Sequence, residues 1–397
     1  MKDFCAELEA RLQSLRDQGL HRQLRPVHSA QGTRLNLAGR RLLNFSSNDY
    51  LGLASHPALR AAAVQALAEY GSGSGASRLI CGSLAPHGDL DAALARFKGT
   101  EAALAFSSGY AAAVGTICAL VGAGDFVVID KLVHASIVDG ARLSGAKLRV
   151  FDHNDTEDLE RILQWTQTQR AEARPGAQVL IITETVFSMD GDLAPLRQLV
   201  ELKEKYRAWL MVDEAHATGL FGENRRGLAE AQGVSDRIEV QMGTLGKALG
   251  SAGGFICGPR PLIDLLINRA RSFIFSTAPV PAAAASATAA LQLIGSTEGE
   301  ERRQRLWANI DRLKNSLIKA GWKLPPVQSA IIPLLVGSEE KAMALAGRLL
   351  ERGLFIPAIR YPTVARGQAR LRLTVSADHT PADIATLVAA LQEEDKK

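Results

Sequence analysis

Between about residue 57 and residue 280 the chain repeats one pattern, a short apolar run followed by a stretch with helical spacing. Six runs fit strands: Ala102–Phe106, Phe126–Ile129, Leu148–Phe151, Val179–Ile182, Trp209–Val212 and Gly254–Cys257. Continuous apolar runs of this length, without polar alternation, mark strands covered on both faces. Strand–helix repetition predicts a mostly parallel sheet between layers of helices, an α/β fold. In such a sheet, ligands bind beyond the carboxyl ends of the strands. The residues just after each apolar run are therefore the candidates for chemistry.

The flanking regions divide the chain into three. Residues 1–56 read as an N-terminal arm and hairpin. Leu8, Leu12 and Leu15 recur at helical spacing within residues 5–18, and Leu35–Phe45 folds back at Gly39-Arg40. Residues 57–285 form the large domain. Residues 286–397 form a smaller α+β domain, with helix 301–320, strand Ser329–Leu335, helix Lys341–Arg352 and strand Arg370–Val375. The Ala-rich helix Pro279–Ile294 leads into it, and residues 392–397 are expected to fray. With 397 residues and 47% hydrophobic content, the chain can bury a large core over two domains.

The remaining composition narrows the class. The net charge is only +4 and no Lys/Arg block occurs, which argues against a nucleic-acid partner. Cys5, Cys81, Cys118 and Cys257 lie far apart with no Cys-x-x-Cys, so a structural metal is not expected and a reducing, cytoplasmic setting is. The first residues carry charge where a signal peptide has its apolar centre, and no run of about 18 apolar residues suggests a membrane span.

Lys247 lies in the Gly-rich stretch Gly243-Thr-Leu-Gly-Lys-Ala-Leu-Gly250, and Asp213 and His216 follow an apolar strand in Val212-Asp-Glu-Ala-His216. Alone, a Lys between glycines is usually a solvated loop residue, and an Asp after a strand is usually a helix cap. Together with the Thr244 hydroxyl they form the set that pyridoxal phosphate (PLP) requires. That cofactor needs a Lys for its Schiff base, an acid for its ring nitrogen and donors for its phosphate. The nucleotide-binding Gly-Lys-Ser/Thr motif does not fit, because Ala248 stands where it needs a hydroxyl.

Other segments suit the same cofactor. Ser107-Ser108-Gly109-Tyr110 opens a helical run, where free amides seat an anion, or where a Ser simply caps. His134 follows another apolar run and can stack on a ring, although a lone His is more often structural. Ser188 can donate to a ring oxygen, and Ser276-Thr277 to a phosphate. Gly71–Arg78 matches neither Gly-rich phosphate fingerprint and reads as a flexible substrate loop. An amino-acid substrate needs a guanidinium for its carboxylate, and Arg360, Arg370 and Arg372 are candidates. Arg370 and Arg372 face the same side of a strand, so spacing does not choose between them.

These motifs resemble the α-oxoamine synthases over about residues 20–390. The resemblance is carried by Asn44-Phe-Ser-Ser-Asn48-Asp-Tyr50, Gly73-Ser-Gly-Ala-Ser-Arg78, Ser108-Gly-Tyr110, His134-Ala-Ser, Phe187-Ser-Met-Asp-Gly-Asp192, Val212–His216, Gly243–Lys247 and Tyr361-Pro-Thr-Val. It implies a fold type I PLP-dependent transferase that condenses an amino acid with an acyl thioester and releases carbon dioxide. Ala358–Val364 and Ala369–Thr374 resemble the branch that takes L-alanine and a pimeloyl thioester. By position, the resemblance assigns Lys247 to the Schiff base, Asp213 to the ring nitrogen and His134 to ring stacking. His216 and Ser188 take the ring oxygen. Gly109, Tyr110 and Thr244 take the phosphate, with Ser276 and Thr277 reaching in from the second copy of a homodimer with shared active sites. Arg372 is assigned to the substrate carboxylate, Asn48 to substrate, and Arg22 and Thr363 to the acyl side. The family often has prolines where Tyr361 and Ala365 stand, which leaves acyl-chain selectivity open. Alternative readings are glycine C-acetyltransferase, serine palmitoylation, 5-aminolevulinate synthesis, a silent partner subunit, and an aminotransferase on the same fold.

Overall fold

The computed structural model describes residues 1–172 and 176–395. Two short strands come first, β1 (Arg34–Leu37) and β2 (Arg40–Asn44), paired antiparallel. The turn residues between them, Ala38 and Gly39, have φ of 50° and 76°, the backbone that lets a two-residue hairpin match the twist of its strands.

Seven strands then build the central sheet: β3 (Ala102–Phe106), β4 (Phe126–Asp130), β5 (Lys147–Phe151), β6 (Val179–Glu184), β7 (Trp209–Asp213), β8 (Val240–Thr244) and β9 (Gly254–Gly258). Their order is β3-β9-β8-β7-β6-β4-β5. Strands β4 to β8 pair in parallel, and β9 is antiparallel to both neighbours. All six expected strands are present. β8 escaped sequence reading because Gln241 and Gly243 break its apolar run. Both suit the interior: the Gln241 amide donates to Ser235 O at 3.0 Å, and Gly243 lies where an added Cβ would meet the Phe255 ring at 2.3 Å.

Alternation along the strands divides the core between the two faces of the sheet. Val127, Ile129, Leu180, Ile182 and Met211 pack with Ala112, Ala113 and Ile117 of helix Gly109–Leu120. Phe126, Val128, Ile181, Leu210 and Val212 pack with Leu159 and Leu163 of helix Thr156–Glu172 and with Leu199 and Val200 of helix Leu196–Lys205. Each such side chain, fully buried, contributes roughly 1.5–3 kcal/mol, so the two apolar layers hold the strand ends in place.

The C-terminal region adds β10 (Ile331–Gly337), β11 (Leu354–Phe355), β12 (Ala358–Ile359) and β13 (Ala369–Thr374). β10, β13 and β12 form one antiparallel sheet, while β11 pairs in parallel with β2. The N-terminal hairpin is therefore stitched to the C-terminal region. His379 stacks on Phe45 with centroids 4.1 Å apart and donates from Nε2 to Asn44 O at 2.9 Å.

Three expectations change. Helix Pro281–Gly295 packs on helices Pro57–Tyr70 and Ala85–Lys98, and the boundary expected at 285 falls inside it. The tail expected to fray from 392 is helical through Asp395, because Glu394 is buried between Arg348 and Arg352; Lys396 and Lys397 lie outside the described residues. The Gly71–Arg78 loop is tied down: Ser74 Oγ donates to Pro279 O at 2.6 Å, Ala278 N to Ala76 O at 3.0 Å, and Arg78 pairs with Asp91. The N-terminal helix, Lys2–Asp17, leaves Leu8, Leu12 and Leu15 exposed on this single chain. Among the described residues, no helix is long and apolar enough to cross a membrane.

Candidate active site

The carboxyl ends of β6, β7 and β8 bring the polar cluster together. Glu184 ends β6 and Asp213 ends β7, directly opposite each other in register. Both are buried. Burial and then the Asp213 charge push the Glu184 carboxyl up to about 8. Burial also raises Asp213, while Lys247 pulls it back. Two like charges in one dry pocket cannot both ionise freely, so the pair favours a single negative charge. Asp213 Oδ1 accepts Ala215 N at 2.9 Å, and Glu184 Oε2 accepts Ser188 N at 3.1 Å. Glu184 Oε1 is buried with no partner.

Lys247 lies in the turn after β8, and its Nζ is 3.0 Å from His216 Nε2. His216 Nδ1 is 2.6 Å from Tyr50 Oη, which donates to Asn48 Oδ1 at 3.2 Å. Burial, reinforced by Lys247 and Arg372, holds the His216 imidazole well below its usual range, so it is neutral. Keeping all three bonds with a neutral ring puts the proton on Nδ1, donating to Tyr50, and leaves Nε2 to accept from Lys247. Burial lowers the proton affinity of Lys247, with Asp213 and Glu184 opposing. Burial thus loosens the proton on this amine, as a lysine that must give one up requires.

Arg372 of β13 joins this group from the C-terminal sheet. Its Nη1 donates to Asn48 Oδ1 at 3.1 Å and its Nε to Ser188 O at 2.5 Å. Arg370 is used otherwise, paired with Asp190 at 2.5 Å and donating to Met189 O at 3.4 Å. The structure thus separates two arginines that spacing alone could not.

The anion seat lies at the N-terminus of helix Gly109–Leu120. Ser108 Oγ caps it, accepting Ala111 N at 3.0 Å. Gly109 and Gly254 touch closely: a Cβ on Gly254 would stand 2.6 Å from Gly109 Cα, and one on Gly109 would stand 2.6 Å from Thr244 Cγ2. Only glycines allow the helix end to approach Thr244 this closely. Thr244 Oγ1 is buried and has no partner. An orphaned hydroxyl at a helix N-terminus, a lysine amine and a buried acid opposite it fit a PLP molecule.

The other expected residues are placed as follows. His134 caps helix Ala135–Ser144, accepting Ser136 N at 3.2 Å, and the charges of Asp213 and Lys247 act on it. Ser188 engages Glu184 and Arg372 through its backbone. Tyr110 is exposed and donates to Asp139 at 2.9 Å. Ser276 and Thr277 line a crevice with Arg78 and Ser107, and Ser276 Oγ donates to Thr277 O at 3.2 Å. Arg22 and Thr363 are exposed; Arg360 links their neighbourhoods, donating to His21 O at 3.4 Å and accepting Thr363 N at 3.0 Å. Sequence reasoning did not single out Tyr50 or Glu184. Their signals were an aromatic in the Asn48-Asp-Tyr50 segment and an acid ending an unbroken apolar strand.

Comparison with known proteins agrees with this geometry. The model of the family described as aminotransferase class I and II matches residues 40–391. An 8-amino-7-oxononanoate synthase from Geobacter sulfurreducens is 52% identical over 380 residues, 96% of this chain and 95% of that protein. A protein of the same name from Citrifermentans bemidjiense is 47% identical over 397 residues, 100% of this chain and 99% of its own. Among solved structures, a Sphingomonas wittichii serine palmitoyltransferase superposes with a TM-score of 0.90 at 33% identity, covering 98% of this chain and 96% of its own. An 8-amino-7-oxononanoate synthase from Francisella tularensis gives a TM-score of 0.74 at 29% identity, covering 89% and 98%.

Proposed function

This chain belongs to the aminotransferase class I and II family, within it to the α-oxoamine synthases, and we infer that it condenses L-alanine with a pimeloyl thioester. The products are 8-amino-7-oxononanoate, carbon dioxide and the free thiol, a step of biotin biosynthesis. The observation that carries this reading is the 47–52% identity, over nearly the whole chain, to proteins of that name. The likeness to serine palmitoyltransferase, at 33% identity, is weaker in sequence than this, and its close superposition is of a backbone that sibling enzymes share; substrate choice lies in side chains.

PLP, when bound, supplies an electron sink for negative charge at the alanine Cα. The residues of the chain do the rest. Lys247 Nζ provides the amine for attachment and then moves the Cα proton, with His216 Nε2 at 3.0 Å to hold it in place. Asp213 would pair with the ring nitrogen, and Glu184, kept neutral by burial, leaves Asp213 as the anion. With PLP bound, His134 would cover the ring face, Ser188 would donate to the ring oxygen, and His216 would address it through Nε2 with the ring proton moved there from Nδ1. Thr244 Oγ1, buried without a partner, and the amides at Gly109 and Tyr110 would hold the phosphate. Arg372, with Nε on Ser188 O and Nη1 on Asn48 Oδ1, is oriented to offer its guanidinium to the substrate carboxylate. Arg22, Arg360 and Thr363 border the acyl entrance.

Two further parts of the reading concern assembly and place. A homodimer accounts for the exposed Leu8, Leu12 and Leu15 stripe, and for exposed Phe275, Leu79 and Ile80 around Ser276 and Thr277. Those hydroxyls then reach the phosphate of the second copy. The four separate cysteines suit the cytoplasm.

The test is product formation from L-alanine with pimeloyl-CoA and with pimeloyl-acyl carrier protein, read by mass spectrometry alongside carbon dioxide release. Faster turnover of glycine with acetyl-CoA, or of serine with palmitoyl-CoA, would move the assignment to a sibling.

A further inference from the structure

Asp130 ends β4, Phe151 ends β5, and His153 follows two residues later. Its Nδ1 is 3.0 Å from Asp130 Oδ1 and its Nε2 is 2.8 Å from Asp192 Oδ2. Asp130 is fully buried, and the His153 side chain is only 24% exposed. A ring that meets a carboxylate at each nitrogen needs both N–H groups, so it is an imidazolium. Burial works against that charge, but the hydrogen bonds that the ring donates to Asp130 and Asp192 outweigh it and hold the proton to about 10. The ring stands edge-on to Phe187, with centroids 4.3 Å apart. Asn154, at a φ of 56°, reinforces the joint: its N donates to Asp130 Oδ2 at 2.8 Å and its Nδ2 to Asp192 Oδ2 at 2.9 Å.

Asp192 closes the Phe187–Asp192 turn. Phe187 N donates to Asp192 O at 3.1 Å, and Gly191 N to Phe187 O at 2.8 Å. This turn is where the parallel sheet meets the C-terminal sheet. Ser188 O takes Arg372 Nε, Asp190 takes Arg370, and Gly191 O takes Ser329 Oγ at 2.8 Å. Among the described residues, the charged partners of His153 are Asp130, which ends β4, and Asp192, which lies in the loop after β6.

We propose that His153 is a positioning residue for the condensation: clamped between Asp130 and Asp192, it fixes the Phe187–Asp192 turn and thereby the guanidinium of Arg372. The proposal rests on the assignment of Arg372 to the amino-acid carboxylate. His153 is too enclosed by its two carboxylates to meet substrate itself. It acts by holding Ser188 O still, since a donor displaced by even a fraction of an ångström loses a charge-assisted bond.

The test uses the PLP-loaded enzyme with His153→Gln, Asp192→Ala and the double variant. KM for L-alanine should rise about tenfold, the size of one lost charge-assisted hydrogen bond, with kcat changed less than about threefold and KM for pimeloyl-CoA unchanged. The double variant should be no worse than the poorer single one, because both cut the same clamp. Hydrogen exchange at the amides of residues 187–192 should speed up about tenfold in each variant, while β10 amides hold their rate. An unchanged KM for alanine, a loss confined to kcat, or additive effects would overturn the proposal. If His153→Gln does not fold, Asp192→Ala decides by the same criteria. If the wild type does not turn over alanine, the functional reading fails, and the clamp stands or falls on exchange in the turn alone.

Discussion

Replacing Lys98 with Met removes the positive half of an ion pair sealed in the core. Lys98 is 2% exposed and Glu214 is fully buried. The Lys98 ammonium meets Glu214 Oε2 and donates to Arg226 O at 2.5 Å, while Glu214 Oε1 accepts Ala229 N at 2.9 Å. Gly227 closes the site, since a Cβ there would stand 2.4 Å from Glu214 Oε2, so water has no room to replace the ammonium. An exposed pair would matter by less than about 1 kcal/mol. Here a methionine fills the aliphatic stem, and the loss is almost purely electrostatic. Leaving one buried charge without its partner costs about 3–5 kcal/mol. A chain of 397 residues has an unfolding entropy near 0.8 kcal/mol/K, at about 2 cal/mol/K per residue, so the melting temperature should fall by about 4–6 °C. Differential scanning calorimetry of both proteins under one buffer measures this. The double variant Lys98→Met, Glu214→Gln should recover more than half of the loss, because the stranded charge is gone. A melting point within about 1 °C of wild type for Lys98→Met, or a double variant weaker than the single one, would refute the reasoning.

Other outcomes follow from the same structure. Lys247→Ala should abolish turnover and the visible absorbance of bound cofactor, yet melt close to wild type as the cofactor-free protein; near-normal turnover would remove Lys247 from the mechanism. Glu184 carries its proton to about 8 in the folded chain against 4.5 unfolded, so its contribution to stability is complete below 4.5 and lost as pH rises through about 8. Cofactor-free wild type and Glu184→Gln should therefore diverge from acid toward pH 8, the variant becoming the more stable, as a pH series of thermal melts would show. Thiol titration of the native protein should find exposed Cys5 and Cys81 reactive and half-buried Cys118 slower. Cys257, buried and pushed up to about 12, should react only after denaturation.

Much of the fold was legible because apolar continuity is a local signal. Val179–Ile182 and Trp209–Val212 read as strands from composition alone, and the structure keeps them with one or two residues added at the polar end. β8 was hidden because its interior holds Gln241 and Gly243, which only a neighbouring strand and the Phe255 ring make suitable. The tail and the Gly71–Arg78 loop read as loose because polar and Gly-rich segments usually are. Distant partners, Arg348 and Arg352 for one and Pro279 for the other, tie them down.

The sequence by itself determined the chemistry: Lys247, Asp213, His216 and Thr244 occur in an order and a setting that only a small class of cofactor sites requires. Tertiary structure decided how those groups are poised. Arg372 rather than Arg370 joins Lys247, because Asp190 captures one guanidinium and Asn48 and Ser188 orient the other. Glu184 faces Asp213, Tyr50 reaches His216 and His153 bridges the end of β4 and the loop after β6, contacts spanning 29, 166, 23 and 39 residues of sequence. Residue type sets which proton or charge a group can carry. Only packing sets how much water is removed from it and which partner stands within 3 Å, and those two quantities govern its protonation and its aim.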